Sequence, residues 1–314
     1  MQFKKYILIP ALKKSGTTAL WLIKMILPIS LAVRFLDYFG ILTYIAGFLD
    51  PVFMNLGLPG STAIIFITSI FLPLYAPLAI ITSMSLTLRE LTILALMCQI
   101  AHNLPVESAI QAKTGTTFWG MTTLRIVVSV LTAFLLNLIL PAEMGMPLFV
   151  QTDVVVISSI GELLLAWLQG SLKIALLIFV IIFSLNLLYN ILNAFHLISK
   201  LSKGVEPLLK FFGLSANTGF LWLIGYIVGL AYGGALMMDQ LKEGKVTRAE
   251  ANLLNHHLAV SHSVIEDNLL FAALGVSIWW ILGVRFVMSW IVVWFRRLIF
   301  RLSSKGKVNY NVYF

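Results

Sequence analysis

Charged residues are scarce in this chain. Only 11% of its 314 residues are Asp, Glu, Lys or Arg, whereas 60% are hydrophobic. Soluble domains average about 25% charged residues, and a soluble fold of this length could not cover its surface with so few. The composition therefore excludes an ordinary soluble protein and indicates an integral membrane protein. The net charge of +9 does not indicate a nucleic-acid partner, because the basic residues lie at the ends of apolar segments rather than in one stripe.

Cysteine and catalytic motifs are nearly absent as well. The single cysteine, Cys98, excludes a disulfide framework and a cysteine-rich metal cluster. The sequence has no Gly-x-Ser-x-Gly nucleophile elbow and no phosphate-binding glycine-rich loop before a helix. We therefore expect no enzyme activity, no nucleotide site and no cofactor.

Apolar sequence, by contrast, is abundant. A helix needs about 20 apolar residues to cross a bilayer, and eight stretches approach or exceed that length. They are 18–40, 61–84, 88–112, 117–140, 172–199, 217–238, 249–273 and 276–299. The sequence thus predicts an all-α polytopic membrane protein whose main partner is the lipid bilayer, and it is compatible with a homo-oligomer.

The second half of the chain repeats the first. At an offset of 160 residues, rare polar residues recur as the pairs Thr87 and Thr247, Glu90 and Glu250, His102 and His262, Glu107 and Asp267, and Arg125 and Arg285. Upstream the offset is 156, which pairs Gly57 with Gly213. We predict a first repeat over 1–142, an external linker over 143–170, and a second repeat with a basic tail over 171–314.

The second apolar stretch of each half contains helix breakers. Pro73 and Pro77 interrupt the first copy, and Gly229, Gly233 and Gly234 lie in the corresponding part of the second. Interruptions at matching positions of two halves point to a transporter's binding site. Each interrupted stretch is predicted to be a re-entrant helical hairpin, and the alternative is a kinked spanning helix.

The positions of Lys and Arg favour hairpins. With hairpins, each half has three transmembrane helices and the two halves have opposite orientations. The basic clusters then fall on the cytoplasmic side with both termini, Arg34 and Arg89 stay outside, and the 141–158 segment has no Lys or Arg. Spanning segments would instead place Lys200, Lys203 and Lys210 outside, against the positive-inside rule. The prediction is a pair of inverted repeats in the cytoplasmic (inner) membrane.

Two short motifs resemble a known family. Gly-Leu-Pro-Gly-Ser at 57–61 and Gly-Leu-Ser-Ala-Asn at 213–217 each precede a hairpin, and a polar helix with His102, Asn103 and Glu107, or with His262, Ser263 and Asp267, follows. This arrangement resembles the nucleoside-recognition, or gate, domain, present twice. Relatives by resemblance are concentrative nucleoside transporters, the membrane part of Feo-type ferrous-iron transporters and the spore maturation membrane proteins. The chain lacks the GTPase domain of the iron transporters, so GTP-coupled iron uptake is not implied.

Ionisable residues inside the apolar stretches need partners. Glu107 and Arg125 flank Gly115 at separations that bring them to the same depth on adjacent antiparallel helices, and Asp267 and Arg285 flank Gly275 in the same way. We predict two structural ion pairs. The alternative is that the arginines face an anionic substrate.

The 249–273 stretch carries polar residues at helical spacing, which a lipid-facing surface would exclude. We expect this face and its counterpart to line a cavity, with Pro105 kinking the first copy and His257 merely interfacial. The predicted substrate-binding residues are Gln99, His102, Asn103, Glu107, Asn255, His256, His262, Ser263 and Asp267, together with Ser61, Asn217, Tyr75 and Tyr232 at the hairpins. Ser61 and Asn217 are also candidates for helix capping.

Thiol, imidazole and carboxylate groups suit a transition metal, so Cys98, His102, His262 and Glu266 form a predicted metal site. Histidines bonded only to their neighbours, or to a nucleoside, are the alternatives. The preferred function is a permease for a small polar solute, with a divalent metal ion slightly favoured. A nucleoside or anionic-solute transporter, or a non-transporting protein in envelope or spore maturation, remains open.

Overall fold

The computed structural model describes residues 7–82, 84–148, 159–195, 201–202 and 204–303. Every regular element in these ranges is helical, and none of them contains a strand. The first half contains α1 (Ile9–Tyr38), α2 (Ile41–Phe53), α3 (Ala63–Phe71), α4 (Tyr75–Ile81), α5 (Leu88–Ile100), α6 (Leu104–Ala112) and α7 (Phe118–Ile139). The second half contains α8 (Ile160–Ala194), α9 (Glu206–Phe211), α10 (Gly219–Ile227), α11 (Leu230–Lys242), α12 (Arg248–Val260), α13 (Val264–Ala272) and α14 (Ile278–Ser303).

Several helical stretches are suited to a bilayer. Leu88–Ala112, Phe118–Ile139 and Ile278–Leu302 are each long and apolar enough to cross a membrane. A further pair, Gly47–Leu56 and Gly60–Phe71, passes the same test together but is bent by 94° at its break. The predicted class, an all-helical membrane protein, is thereby confirmed. The number of crossings and the inversion of the two halves stay predictions.

Local structure recurs at the two sequence offsets. Both α5 and α12 begin with the same capping box, in which a threonine hydroxyl accepts from the backbone of a glutamate that bonds back to the threonine N–H. Asn103 and Ser263, which are 160 residues apart, both have positive φ, at 48° and 45°. The caps and turn residues of the two halves therefore encode the same backbone path.

The two predicted hairpin breaks are present. Leu72, Pro73 and Leu74 separate α3 from α4, and Gly229, with φ of 101°, separates α10 from α11. Gly233 and Gly234, by contrast, lie inside α11 and do not interrupt it. They permit close packing instead, because a Cβ at Gly233 would lie 3.3 Å from the Gly225 Cα and one at Gly234 would collide with Ile110.

A second pair of breaks corrects the sequence analysis. The 88–112 and 249–273 stretches were expected to be continuous polar helices, yet 101–103 and 261–263 are not helical. Pro105 is the second residue of α6, where its missing N–H is tolerated. A proline is not required for such a break, because Ile265 stands at the equivalent position after 261–263. The Asn103 N–H donates to the Ser69 carbonyl at 2.8 Å, and the Ser263 N–H donates to the Gly225 carbonyl at 2.9 Å. Each break is thus bonded to a hairpin helix.

The chain divides into two compact units that are discontinuous in sequence. The first unit comprises Met1–Leu104, Ser129–Ile191 and Glu266–Ile281. The second comprises Pro105–Val128, Leu192–Ile265 and Leu282–Phe314. Nearly all of α6 thus belongs to the second unit, together with α10 to α12, and most of α13 belongs to the first.

Candidate functional site

In the first unit, the tyrosine near the hairpin break meets a carboxylate. Tyr75 begins α4 and is 5% exposed, and its hydroxyl donates to the Glu266 carboxylate on α13. Tyr232 on α11 has no such burial, since 46% of it is exposed. The two tyrosines predicted near the hairpin tips therefore have different environments, and Tyr75 is the better candidate for a buried site.

Gln99 lies beside the same segment of α13. Its amide donates to the Asp267 carbonyl at 2.9 Å and approaches the Asn268 side-chain oxygen at 3.4 Å. The Gln99 side-chain oxygen is buried and has no hydrogen-bond partner among the described residues. Since a buried acceptor left unbonded is costly, Gln99 offers an oxygen to a ligand that carries a donor.

His102 and Cys98 do not form the side-chain pair that their spacing suggested. The helix ends at Ile100, and the His102 Nδ1 bonds the carbonyl oxygens of Cys98 and Gln99 at 3.2 and 3.0 Å. This contact fixes the orientation of the His102 ring just after the end of α5. The Cys98 thiol is fully buried and forms no disulfide.

The second unit contains the predicted ion pair. An Arg125 Nη1 lies 2.5 Å from Glu107 Oε2, with the Arg125 side chain fully buried. The same carboxylate oxygen lies 3.3 Å from His262 Nε2, and His262 Nδ1 bonds the Leu258 carbonyl at 2.6 Å. Glu107 therefore faces a cationic guanidinium and an imidazole whose orientation is fixed by the end of α12.

Arg285 hydrogen-bonds the backbone at the second helix break, 261–263. Its Nε donates to the Val260 carbonyl at 3.2 Å, and its Nη2 donates to the His262 carbonyl. The Val260 carbonyl ends α12 and the His262 carbonyl lies in the break, so neither has an intrahelical partner and the fully buried guanidinium satisfies both. Asp267 belongs to the first unit and Arg285 to the second, and their pairing stays a prediction.

The polar face of α12 is used differently from what its spacing suggested. The Asn252 amide donates to the Gly115 carbonyl at 2.6 Å, and the Asn255 amide donates to the Thr114 carbonyl at 2.9 Å. Gln111 on α6 donates to the Asn255 carbonyl at 2.9 Å. This part of the stripe binds the turn after α6. The break at 261–263 separates it from Glu266 and Asp267, so the stripe is not one continuous face.

His256 is likewise engaged by its own helix, since its Nδ1 bonds the Asn252 carbonyl at 2.7 Å and the residue is 8% exposed. The hairpin residues also differ from expectation. Ser215, not Asn217, supplies the cap, because its hydroxyl accepts from the Asn217 N–H, while the Asn217 amide donates to Glu250 at 3.1 Å. Ser61 lies in the equivalent 3-10 turn, whose Gly60 N–H donates to Asp50.

Sequence reasoning missed one cluster in the second unit. The His257 Nε2 lies 2.7 Å from the Tyr226 hydroxyl, which donates to the Ser261 hydroxyl at 2.9 Å. His257 is fully buried, so its assignment as an interfacial residue was wrong. The missed signal is in the repeat itself, because the equivalent residues of the first half are the apolar Met97, Ile70 and Ala101.

Together, the spanning helices and the buried ionisable residues define a helical integral membrane protein. Residues 19–117 match the family model described as Gate: nucleoside recognition. The chain is also similar to the uncharacterized membrane protein YvoD of Bacillus subtilis strain 168, at 28% identity over 278 residues, which cover 86% of this chain and 88% of that protein. No solved structure matches. The resemblance to the gate domain is confirmed for residues 19–117, which include the 57–61 motif, His102 and Glu107.

Proposed function

We propose that this protein is a permease, and not an enzyme, which moves a small polar solute across the cytoplasmic membrane. The observation that carries the proposal is the set of paired helix breaks, at 72–74 and 228–229 and at 101–103 and 261–263. Non-helical backbone at membrane depth is tolerated only where protein or a water-filled cavity satisfies its polar groups. In transporters built from repeats, such interruptions mark the substrate site.

The proposed architecture is two inverted repeats with six crossings, two re-entrant hairpins and cytoplasmic termini. The 94° bend between Gly47–Leu56 and Gly60–Phe71 supports a chain that turns sharply at the start of the first hairpin. The Lys and Arg distribution supports the orientation. Rocking of one repeat against the other would then expose a site at the breaks to each side in turn.

A divalent metal ion is the slightly preferred substrate. Metal ligands at about 2.0–2.1 Å in a tetrahedral site lie roughly 3.3 Å apart, which is the spacing of Glu107 Oε2 and His262 Nε2. The bond from His262 Nδ1 to the Leu258 carbonyl orients the ring in the way that metal-binding histidines are oriented by a second partner. The other ligands named by the sequence prediction, His102, Cys98 and Glu266, belong to the first unit.

The pairing of Arg125 with Glu107 favours a second candidate over a cation, namely a nucleoside or an anionic solute. Its guanidinium occupies the same Glu107 oxygen that a metal would use, so a cation would have to displace it. Each unit also has a buried amide oxygen without a partner among the described residues, on Gln99 in the first unit and on Gln111 in the second. Such an acceptor would suit a donor of a base or a ribose.

Flux into proteoliposomes tests the class, and binding to the purified protein tests the substrate. We expect uptake of Fe(II) or Zn(II), with an affinity that falls as the pH is lowered, because protons compete with the metal ion for the imidazole nitrogens. His262→Ala should abolish metal binding, and His256→Leu, which copies the residue of the first half, is the matched control. Saturable uridine uptake without histidine-dependent metal binding would select the nucleoside candidate. No flux of any of these solutes would favour a non-transporting role in envelope maturation.

A further inference from the structure

Two buried nitrogen atoms of the second unit have no hydrogen-bond partner among the described residues. They are Trp222 Nε1 on α10 and His257 Nδ1 on α12. Trp222 is 4% exposed and His257 is fully buried. Buried polar groups in native proteins are nearly always hydrogen-bonded, to protein or to another molecule. The two rings are neighbours, with centroids 6.2 Å apart, so the two atoms call for a common explanation.

The Tyr226 hydroxyl determines which of the two atoms is the donor. Tyr226 gives its one hydrogen to Ser261, so it accepts from His257 Nε2 at 2.7 Å. A neutral imidazole protonated at Nε2 has a lone pair at Nδ1. The unsatisfied pair is thus one donor, the indole N–H of Trp222, and one acceptor, the imidazole Nδ1 of His257.

The position of this pair in the fold indicates a functional role. Trp222 stacks on Tyr226 at 4.0 Å, and the rings of Trp222 and His257 have centroids 6.2 Å apart. Ser261 begins the break between α12 and α13, and Tyr226 is in the turn of α10 just before the break at Gly229. The polar rings therefore lie where the two interrupted segments of the second unit meet.

The first half shows that the fold does not need these polar groups. At the equivalent positions, Phe66 stands for Trp222, Ile70 for Tyr226, Met97 for His257 and Ala101 for Ser261. The same backbone elements form around this apolar set. A structural requirement common to both halves therefore cannot explain the polar set of the second.

We propose that the second unit binds a hydroxyl group between Trp222 and His257, which accepts from the indole N–H and donates to the imidazole Nδ1. Two hydrogen bonds of about 2.9 Å to one oxygen bridge nitrogens up to about 5.8 Å apart, which is compatible with ring centroids 6.2 Å apart. The hydroxyl belongs either to an ordered water or to a polyol-type solute. The inference does not depend on transport, because it rests on the unsatisfied pair and on the asymmetry between the halves.

An isosteric substitution tests the site without changing the packing. Benzothienylalanine at position 222, introduced by nonsense suppression, keeps the shape of tryptophan and replaces its N–H by sulfur. If a hydroxyl is bound, the Tm of the purified protein falls by roughly 2–4 °C, because the hydroxyl loses its donor. If nothing is bound, removing an unsatisfied donor leaves the Tm unchanged or raises it, and the proposal is overturned.

Two control substitutions establish the direction in which the Tm should change. Trp294 Nε1 donates to the Phe211 carbonyl at 3.1 Å, so the same replacement at 294 should lower the Tm. Trp279 is 82% exposed, so replacement there should leave it unchanged. Titration with D-ribose, glycerol and uridine then identifies the source. A saturable rise in Tm that is lost in the position-222 variant assigns the hydroxyl to a solute, whereas a fall on substitution with no solute effect assigns it to water.

Discussion

Helices α5 and α12 have the same length, N-terminal cap and terminal break, which together are called the frame here, but they carry different side chains. Both are 13 residues long, begin with a Thr–Glu capping box and end at a break with a residue of positive φ two positions after the C-cap. Yet α12 carries Asn255, His256 and His257 where α5 has Ala95, Leu96 and Met97. Caps and breaks therefore set the backbone of both repeats, and the polar chemistry is concentrated on the second copy of this helix.

The largest expected effect comes from the ion pair that joins α6 to α7. Arg125→Ala should lower stability by about 3–5 kcal/mol, because it leaves Glu107 charged and buried without its guanidinium. Folded yield after detergent extraction and the Tm of the purified protein measure the loss. The double variant Glu107→Leu with Arg125→Leu should be milder than Arg125→Ala alone.

The neighbouring Val127 is 56% exposed, and Val127→Ala is the matched control, expected to behave as wild type. If Arg125→Ala folds normally but loses solute binding, Arg125 belongs to the substrate site and the structural assignment is wrong.

A smaller effect is expected where the second hairpin packs closely on α6. Gly234→Ala should lower stability by about 1–3 kcal/mol, because the added Cβ collides with the Ile110 side chain. Adding Ile110→Ala should restore much of the Tm by removing the colliding branch. Gly283→Ala is the control, since nothing lies within 4 Å of a Cβ there. Equal Tm values for Gly234→Ala and Gly283→Ala would contradict the close packing.

The smallest effect should be the same in both halves. Thr87→Ala and Thr247→Ala each remove the hydroxyl of a capping box, at about 1 kcal/mol. Chemical or thermal unfolding monitored by intrinsic fluorescence should give similar losses for the two variants, and Thr87→Ser should retain the bond. A loss of stability in only one variant would show that the capping box does not stabilise the two repeats alike.

The sequence predicted the helices and the hairpin breaks better than it predicted the contacts of the candidate site. Pro73 and Gly229 announced the hairpin breaks, since proline lacks the N–H that a helix needs and glycine readily takes positive φ. The break at 261–263 gave no such signal, because it contains no proline or glycine, and at 101–103 the nearby Pro105 predicted a kink but not three non-helical residues. Both breaks form through tertiary bonds, such as the one from the Asn103 N–H to the Ser69 carbonyl.

The geometry of the candidate site also depends on contacts between residues far apart in the sequence. The spacing of Glu107 and Arg125 across Gly115 was enough to predict their pairing, because an antiparallel helix pair fixes their depth. It could not predict that Asn252 and Asn255 bind the 114–115 turn, or that His257 meets Tyr226. Helical periodicity identifies a face and does not identify the partner that the face contacts.

The account depends most on two similar frames lying in opposite orientations in the membrane, and cysteine labelling tests this directly. The background is Cys98→Leu, which copies Leu258 of the second half. Single cysteines replace Ala142 or Lys210, and intact cells and inside-out vesicles are each treated with a membrane-impermeant maleimide. We predict that position 142 labels only from outside and position 210 only from the cytoplasmic side. Labelling of both positions from the same side would contradict the inverted repeats and the permease built on them.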